Sequence, residues 1–233
     1  NRYVTDPDYM ERAASEYLTE QSMAELEKTV SIERAAPWPD PPAKGDTVWL
    51  AATDRTGLSV SFIQSIYWEF GSGVILPESG VTWQNRGTSF SLDEHAPNRL
   101  EPQRLPFHTI QPAMAELSDG RLMSYGTMGG EGQPQTQAAI FTRYVMHGQD
   151  LQSAITAPRW LLGRTWGAEN NSLKIESRYD PAVVETLRGL GHDIDLVGPF
   201  EEVMGHAGAI VRHPDGLLEG ASDPRSDGVV AAR

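Results

Sequence analysis

Cysteine is absent from the 233 residues, which excludes disulfides, thiolate-bound metal and a cysteine nucleophile. Long apolar runs are absent too, and nothing approaches the roughly 20 residues that a membrane-spanning helix needs. Positive charge is scarce: 19 Lys and Arg stand against 32 Asp and Glu, a net charge of −13. A nucleic acid backbone needs clustered basic side chains, and without such a cluster the charge argues against that partner. What is present, 39% hydrophobic and 22% charged residues, suits a globular protein with one core, or one core and an appendage. The chain begins at Asn1 rather than Met, so a signal peptide or a larger upstream region is expected before it.

Residues 1 to 34 are rich in Glu and Ala, and Tyr9, Ala13, Tyr17 and Leu18 recur at helical spacing after an Asp6-Pro7 start. This predicts a helical arm. "AAPWPDPPAKGD" follows, with four prolines that remove backbone donors and favour extended geometry, and reads as a linker ending at Asp46. From Thr47 the pattern changes to short strands, "TVWLAAT" and "LSVSFIQSIYWEF", divided by "DRTG". The expected element is a β-hairpin. A two-residue turn would set Thr47 opposite residue 64, and a three-residue loop opposite Ser65. Two hydroxyls heading a strand are in most hairpins a plain polar strand end, with a candidate site as the sharper reading.

A second feature is "MSYGTMGGEGQPQTQAAIFTRYV". A strand from Arg121 to Tyr125 runs into a helix through Ala138, Ala139, Phe141, Thr142 and Val145, so Gly129 and Gly130 precede a helix N-terminus. Paired glycines let backbone N–H groups converge on an anionic oxygen; they also serve a simple tight turn. Neither a strand followed by G-x-G-x-x-G nor a phosphate-binding lysine is present, which sets nucleotides aside. His95, His147, His192 and His213 show no metal-ligand spacing, so no metal is expected. His206, ahead of an apolar stretch, reads as structural, and the tryptophans read as core or interface.

Taken together, Asp46-Thr47, the hydroxyl 18 positions later, "SYGTMGGEGQPQ" and the tail "EGASDPRSDG" resemble the γ-glutamyltransferase family of N-terminal nucleophile hydrolases. The resemblance covers essentially the whole chain. It implies an α+β fold, a four-layer αββα sandwich with stacked antiparallel sheets. It implies a precursor that cuts itself between Asp46 and Thr47, making residues 1–46 the end of a large subunit and 47–233 the catalytic small subunit. Thr47 is then the nucleophile, Ser65, where the family usually has Thr, hydrogen-bonds its hydroxyl, and the amides of Gly129 and Gly130 hold the oxyanion. Asp223-Pro224-Arg225 is a family feature with a structural role. The chemistry is sound in itself: an α-amino group titrates near pH 8, so about a tenth is neutral at pH 7 and can take the hydroxyl proton. No cofactor is needed.

Departures from the family pattern concern the substrate. Val48-Trp49 replaces Thr-His after the nucleophile, and Tyr67 replaces an Asn. In "QNRGTSF" (84 to 90), Arg86 stands for a Gln and Ser89 for the Asp that binds the donor's ammonium. In "PFHTIQP" (106 to 112), His108 and Thr109 stand for a pair of serines. Losing the acid and gaining a guanidinium predicts a small amide that carries a carboxylate and lacks an α-amino group. Within the family the chain is most similar to the oxamate amidohydrolase branch. γ-Glutamyl transfer or hydrolysis and glutaryl (cephalosporin-type) acylase activity are the alternatives, and an unprocessed, inactive binding module is the reading from another class. The expected partners are the small amide and the large subunit of the same precursor, with a homo-oligomer left open and neither nucleic acid nor membrane. The expected compartment is the cytoplasm, or the periplasm given the upstream region.

Overall fold

The computed structural model describes residues 5–34, 46–163 and 171–232, so most of the expected linker, 35–45, lies outside the described residues. The chain divides into two compact units, Asn1–Pro37 with Phe70–His108, and Trp38–Glu69 with Thr109–Arg233. No helix of the described residues is long and apolar enough to cross a membrane.

In the first unit the expected arm is helical but broken into three pieces: a 3₁₀ turn Pro7–Tyr9, α1 (Ala14–Tyr17) and α2 (Glu20–Glu27). Local capping divides it. The Asp6 carboxylate accepts the Asp8 N–H, and the Thr19 hydroxyl accepts the Ser22 N–H, so each side chain restarts a helix where a continuous one would pass through. The first piece is fastened down. Asp6 also accepts the Leu105 N–H at 2.9 Å, while the Arg104 guanidinium lies 4.0 Å from the centre of the Tyr9 ring and pairs with Glu101 at 3.3 Å.

The second unit opens with the antiparallel hairpin β1 (Asp46–Thr53) and β2 (Ser59–Tyr67). After it come β3 (Ala113–Glu116), β4 (Leu122–Gly126), α3 (Gln133–Phe141), continued by a π-helical turn Thr142–Met146, and α4 (Leu151–Thr156). Next are β5 (Trp160–Leu162), β6 (Leu173–Glu176), α5 (Pro181–Gly189) and β7 (Ile194–Val197). The last are β8 (Gly208–Arg212) and β9 (Leu218–Ser222). A four-stranded antiparallel sheet runs β3-β4-β8-β9. A smaller sheet runs β5-β6-β7, in which β6 and β7 are parallel because α5 supplies the crossover between them.

Alternation along the four-stranded sheet builds two faces. Met123, Ala209, Val211 and Ala221 join Ile140 of α3 and Leu151 and Ile155 of α4 in the main core. On the opposite face, Gly126 and Gly208, which are cross-strand partners, lie against the Trp49 indole of β1. Helices, sheet and hairpin thus stack as three successive layers, α, β and β. The outer face of the hairpin shows Val48, Leu50, Val60 and Phe62, each about half exposed.

A buried charge network ties this unit together. Arg159 pairs with Asp223 at 2.6 Å, and Arg225 bridges Asp223 at 3.0 Å and Glu176 at 2.6 and 2.7 Å, with all four side chains at most 1% exposed. Burial lowers the Arg159 guanidinium to about 10 against the support of Asp223, so it stays charged at neutral pH. For Arg225 burial is outweighed by Glu176 and Asp223, and the net shift is upward. Removing one partner from such a network leaves an uncompensated buried charge, typically at a cost of about 3–5 kcal/mol. Asp223→Asn is therefore expected to lower the unfolding free energy of the full protein by about that amount, read as a drop in the urea midpoint at unchanged slope.

Candidate active site

The hairpin turn settles which hydroxyls meet. Thr53 pairs with Ser59, and Asp54 N–H donates to the Leu58 carbonyl, leaving Arg55, Thr56 and Gly57 as a three-residue loop. Gly57 takes φ 96°, as the third residue of such a loop requires, and the Asp54 carboxylate accepts the N–H groups of Thr56 and Leu58. Thr47 consequently faces Ser65, and its hydroxyl donates to Ser65 Oγ at 3.0 Å. Ser65 Oγ also accepts the Tyr67 N–H at 3.0 Å.

Above that pair the ladder dislocates. Asp46 pairs with Tyr67 rather than with the next residue in register, so the shift falls between Asp46 and Thr47. Tyr67 absorbs it with φ 78°, a conformation that costs a non-glycine residue on the order of 1–3 kcal/mol. Its ring stacks on Trp68 with centroids 5.8 Å apart.

The glycine loop leaves the end of β4. Gly129 has φ 121° and Gly130 φ 53°, two consecutive backbones that L side chains avoid, and a 3₁₀ turn Gly130–Gly132 leads into α3. The loop is backed closely by Gly205, where an added methyl would lie 2.7 Å from Thr127 Oγ1 and 2.8 Å from the Met128 carbonyl. Arg159 holds this backing segment, the end of a 3₁₀ turn Glu202–Met204, by donating to the carbonyls of Met204 at 3.2 Å and Gly205 at 2.9 Å. Side chains of α3 staple further loops: Thr136 donates to the Met204 carbonyl, and Gln137 donates to the Gln111 carbonyl at 2.6 Å. Thr109, buried, sits two residues before that last contact. A cleft of about 440 Å³ within this unit is lined by Thr47, Trp49, Met128, His206, Gly208 and Val230 among others. His206, read from sequence as structural, therefore has an edge on the cleft.

Arg86, Ser89 and His108 belong to the first unit. Arg86 starts the 3₁₀ turn Arg86–Ser89, is 1% exposed, and donates its backbone N–H to the Gln84 side chain. Ser89 Oγ lies 2.5 Å from the Arg86 carbonyl and 3.3 Å from that of Phe107, so its proton is engaged with backbone and its lone pairs remain as acceptors. Partial desolvation and then the Arg86 charge hold the exposed His108 imidazole below its ordinary value.

Sequence reasoning passed over Arg159 and Gly205, and noted Trp49 only as a departure from the family pattern beside Thr47. Trp49 carried a signal in its place two residues after Thr47, on the same strand face; the other two become visible only once β8 and β9 are laid beside β4.

The α, β, β layering with a hydroxyl pair heading the first strand has the N-terminal nucleophile hydrolase fold. The chain belongs to the gamma-glutamyltranspeptidase family, whose model matches residues 1–233. It is 55% identical over 229 residues to the oxamate amidohydrolase proenzyme of Klebsiella pneumoniae subsp. pneumoniae, covering 98% of this chain and 43% of that protein. It is 42% identical over 225 residues to the glutathione hydrolase-like YwrD proenzyme of Bacillus subtilis, with 97% and 43% covered. Among solved structures, cephalosporin acylase from Bacillus halodurans superposes with a TM-score of 0.82 at 33% identity, over 100% of this chain and 42% of that one. The chain thus spans less than half the length of these relatives.

Because desolvation and Arg86 both favour neutral His108, the imidazole is expected to titrate below pH 6.5. Arg86→Gln removes the smaller of the two causes, so the titration midpoint should move up yet stay short of the ordinary value, as read by NMR of the imidazole carbon.

Proposed function

We propose that this chain is the C-terminal part of a self-processing precursor, cut between Asp46 and Thr47, and that Thr47 then hydrolyses a small, carboxylate-bearing amide such as oxamate. The observation that carries the reading is the Thr47–Ser65 hydroxyl pair at 3.0 Å, set directly below the dislocated Asp46–Thr47 bond. In self-cleavage, Thr47 Oγ1 adds to the Asp46 carbonyl carbon, the peptide C–N bond breaks to leave an ester and a free α-amine, and water hydrolyses the ester. In turnover, that amine takes the Thr47 hydroxyl proton while Oγ1 adds to the substrate amide carbon. The amides of Gly129 and Gly130 stabilise the tetrahedral oxyanion. The amine passes its proton to the departing nitrogen, ammonia leaves, and water releases the acid, which from oxamate is oxalate. Residues 1–46 then end the large subunit and 47–233 form the small one.

The substrate assignment draws on residue chemistry and on the oxamate amidohydrolase relative. Arg86 suits a carboxylate, and no acid stands at position 89 to hold an ammonium. Tyr67, His108 and Thr109 complete the proposed acyl-binding set. Release of a γ-glutamyl or glutaryl group is the second reading, favoured by the relatives named as a glutathione hydrolase-like protein and a cephalosporin acylase.

Three measurements test this. Thr47→Ala in the full precursor should abolish cutting and turnover, and Thr47→Ser should keep part of each; two normal fragments from Thr47→Ala, seen by intact mass, would remove Thr47 as nucleophile. Ser65→Ala should lower kcat by about tenfold with a smaller change in KM, since the lost hydrogen bond orients the nucleophile. Ammonia release from oxamate should exceed amine release from γ-glutamyl anilide by about a hundredfold, and Arg86→Gln should narrow that ratio. A γ-glutamyl preference would hand the site to the second reading.

A further inference from the structure

Trp49 stands two residues beyond Thr47, so both side chains leave β1 on the face turned to the four-stranded sheet. There the sheet offers a notch. Gly126 and Gly208 are directly opposite on β4 and β8, and neither has a Cβ to fill the space between strand and hairpin. The indole occupies it edge to edge. A methyl on Gly126 would overlap the pyrrole side, lying 2.8 Å from Cγ, and one on Gly208 would overlap the benzo side, lying 3.0 Å from Cε3.

Polar contacts fix the ring in its plane. Trp49 Nε1–H donates to Ser61 Oγ at 3.0 Å, and the Ser61 hydroxyl donates to the Tyr125 carbonyl at 3.4 Å, so β1, β2 and β4 are joined through one indole. Tyr125 and Gly126 are the last residues before Thr127, Met128, Gly129 and Gly130. One end of the indole's support is therefore the root of the glycine loop, and its other end is the strand that starts with Thr47. Thr47, Trp49 and Met128 line the same cleft.

We propose that Trp49 is a positioning residue, a rigid spacer in the Gly126–Gly208 notch that sets the separation between the Thr47 hydroxyl and the Gly129–Gly130 amides. The proposal rests on the nucleophile reading above. An indole has no internal torsion, so its depth in the notch fixes the spacing of the two backbones, and a shift of about 1 Å at a reacting centre costs on the order of a hundredfold in rate.

The notch supplies its own test, because Gly208 has no positive φ and tolerates alanine except for the indole. Four forms of the full precursor are compared: wild type, Gly208→Ala, Trp49→Phe and the double variant. For each, the self-cleavage rate at Asp46–Thr47 and the kcat and KM for oxamate are measured, with the urea midpoint as a check on folding. Gly208→Ala, which lifts the indole, is expected to lower kcat and the self-cleavage rate at least about tenfold with KM within about twofold. Trp49→Phe, which shortens the spacer, is expected to lose less. In the double variant the phenyl ring leaves room for the methyl, so adding Gly208→Ala to Trp49→Phe should cost under about twofold, a coupling that a general loss of stability does not produce. Single variants with wild-type kcat and self-cleavage, or losses that multiply independently, would overturn the spacer. Should Gly208→Ala fail to fold, Trp49→Phe alone decides: an unchanged kcat and self-cleavage rate overturns the proposal. Thr47→Ala separates the two claims, since its continued cutting sinks the nucleophile reading, whereas its inactivity beside unimpaired Trp49 variants sinks the spacer alone.

Discussion

Two arginines and two carboxylates, Arg159, Glu176, Asp223 and Arg225, meet where bulk water does not reach, and the local structure around the cleft hangs from them. Their charges sum to zero, and nearly every polar atom finds a partner, which is the condition under which burying ions does not undo a fold. Asp223 accepts the Ala207 N–H and the Arg225 N–H besides the guanidinium groups, and Glu176 accepts the Arg159 N–H and the Arg178 guanidinium. The cluster thus specifies backbone as much as charge. It joins β6, whose Leu173 and Ile175 belong to a separate apolar cluster, to the ends of β9 and the segment before β8, whose Ala221 and Ala207 lie in the main core.

From there the constraint passes to the site through short, stiff links. Arg159 holds the Met204 and Gly205 carbonyls, Gly205 abuts the Met128 carbonyl, and Met128 precedes the two glycines whose backbones bend left-handed. A loop of that conformation has little intrinsic preference for one shape, so its geometry has to be imposed from behind. On the other side the hairpin imposes its own order, with register fixed by the three-residue loop and depth fixed by an indole between two glycines. Hairpin and glycine loop are thus each shaped by packing against neighbouring elements rather than by their own local preferences.

What the sequence makes legible follows the range of the interactions. The hairpin, its alternative registers and the glycine turn before α3 rest on neighbours within about twenty residues, and pattern reasoning reaches that far. Choosing Ser65 over residue 64 needed the loop length, which "DRTG" alone leaves open. The arm was legible as helical, but its division was not, because Asp6 and Thr19 act through hydrogen bonds that compete with helix continuity. Arg159, Glu176 and Asp223 are separated by 17 and 47 residues in a pattern with no period, so their meeting could not be read from spacing. The resemblance supplied the layered fold, and the departures at Arg86 and Ser89 stood out only against it.

The dislocation beside Thr47 has a consequence for the integrity of the chain itself. Thr47 to Thr53 pair with Ser65 to Ser59 in unbroken register, while Asp46 belongs to a different register on the far side of the bulge. A chain severed between them keeps all seven downstream pairings and forfeits a pairing that was already out of step. The new terminus would stay moored by its neighbours across the hairpin instead of fraying, as a strand end cut from the middle of a regular ladder tends to do. The fold contains, in effect, a seam at which it can be opened without being unpicked.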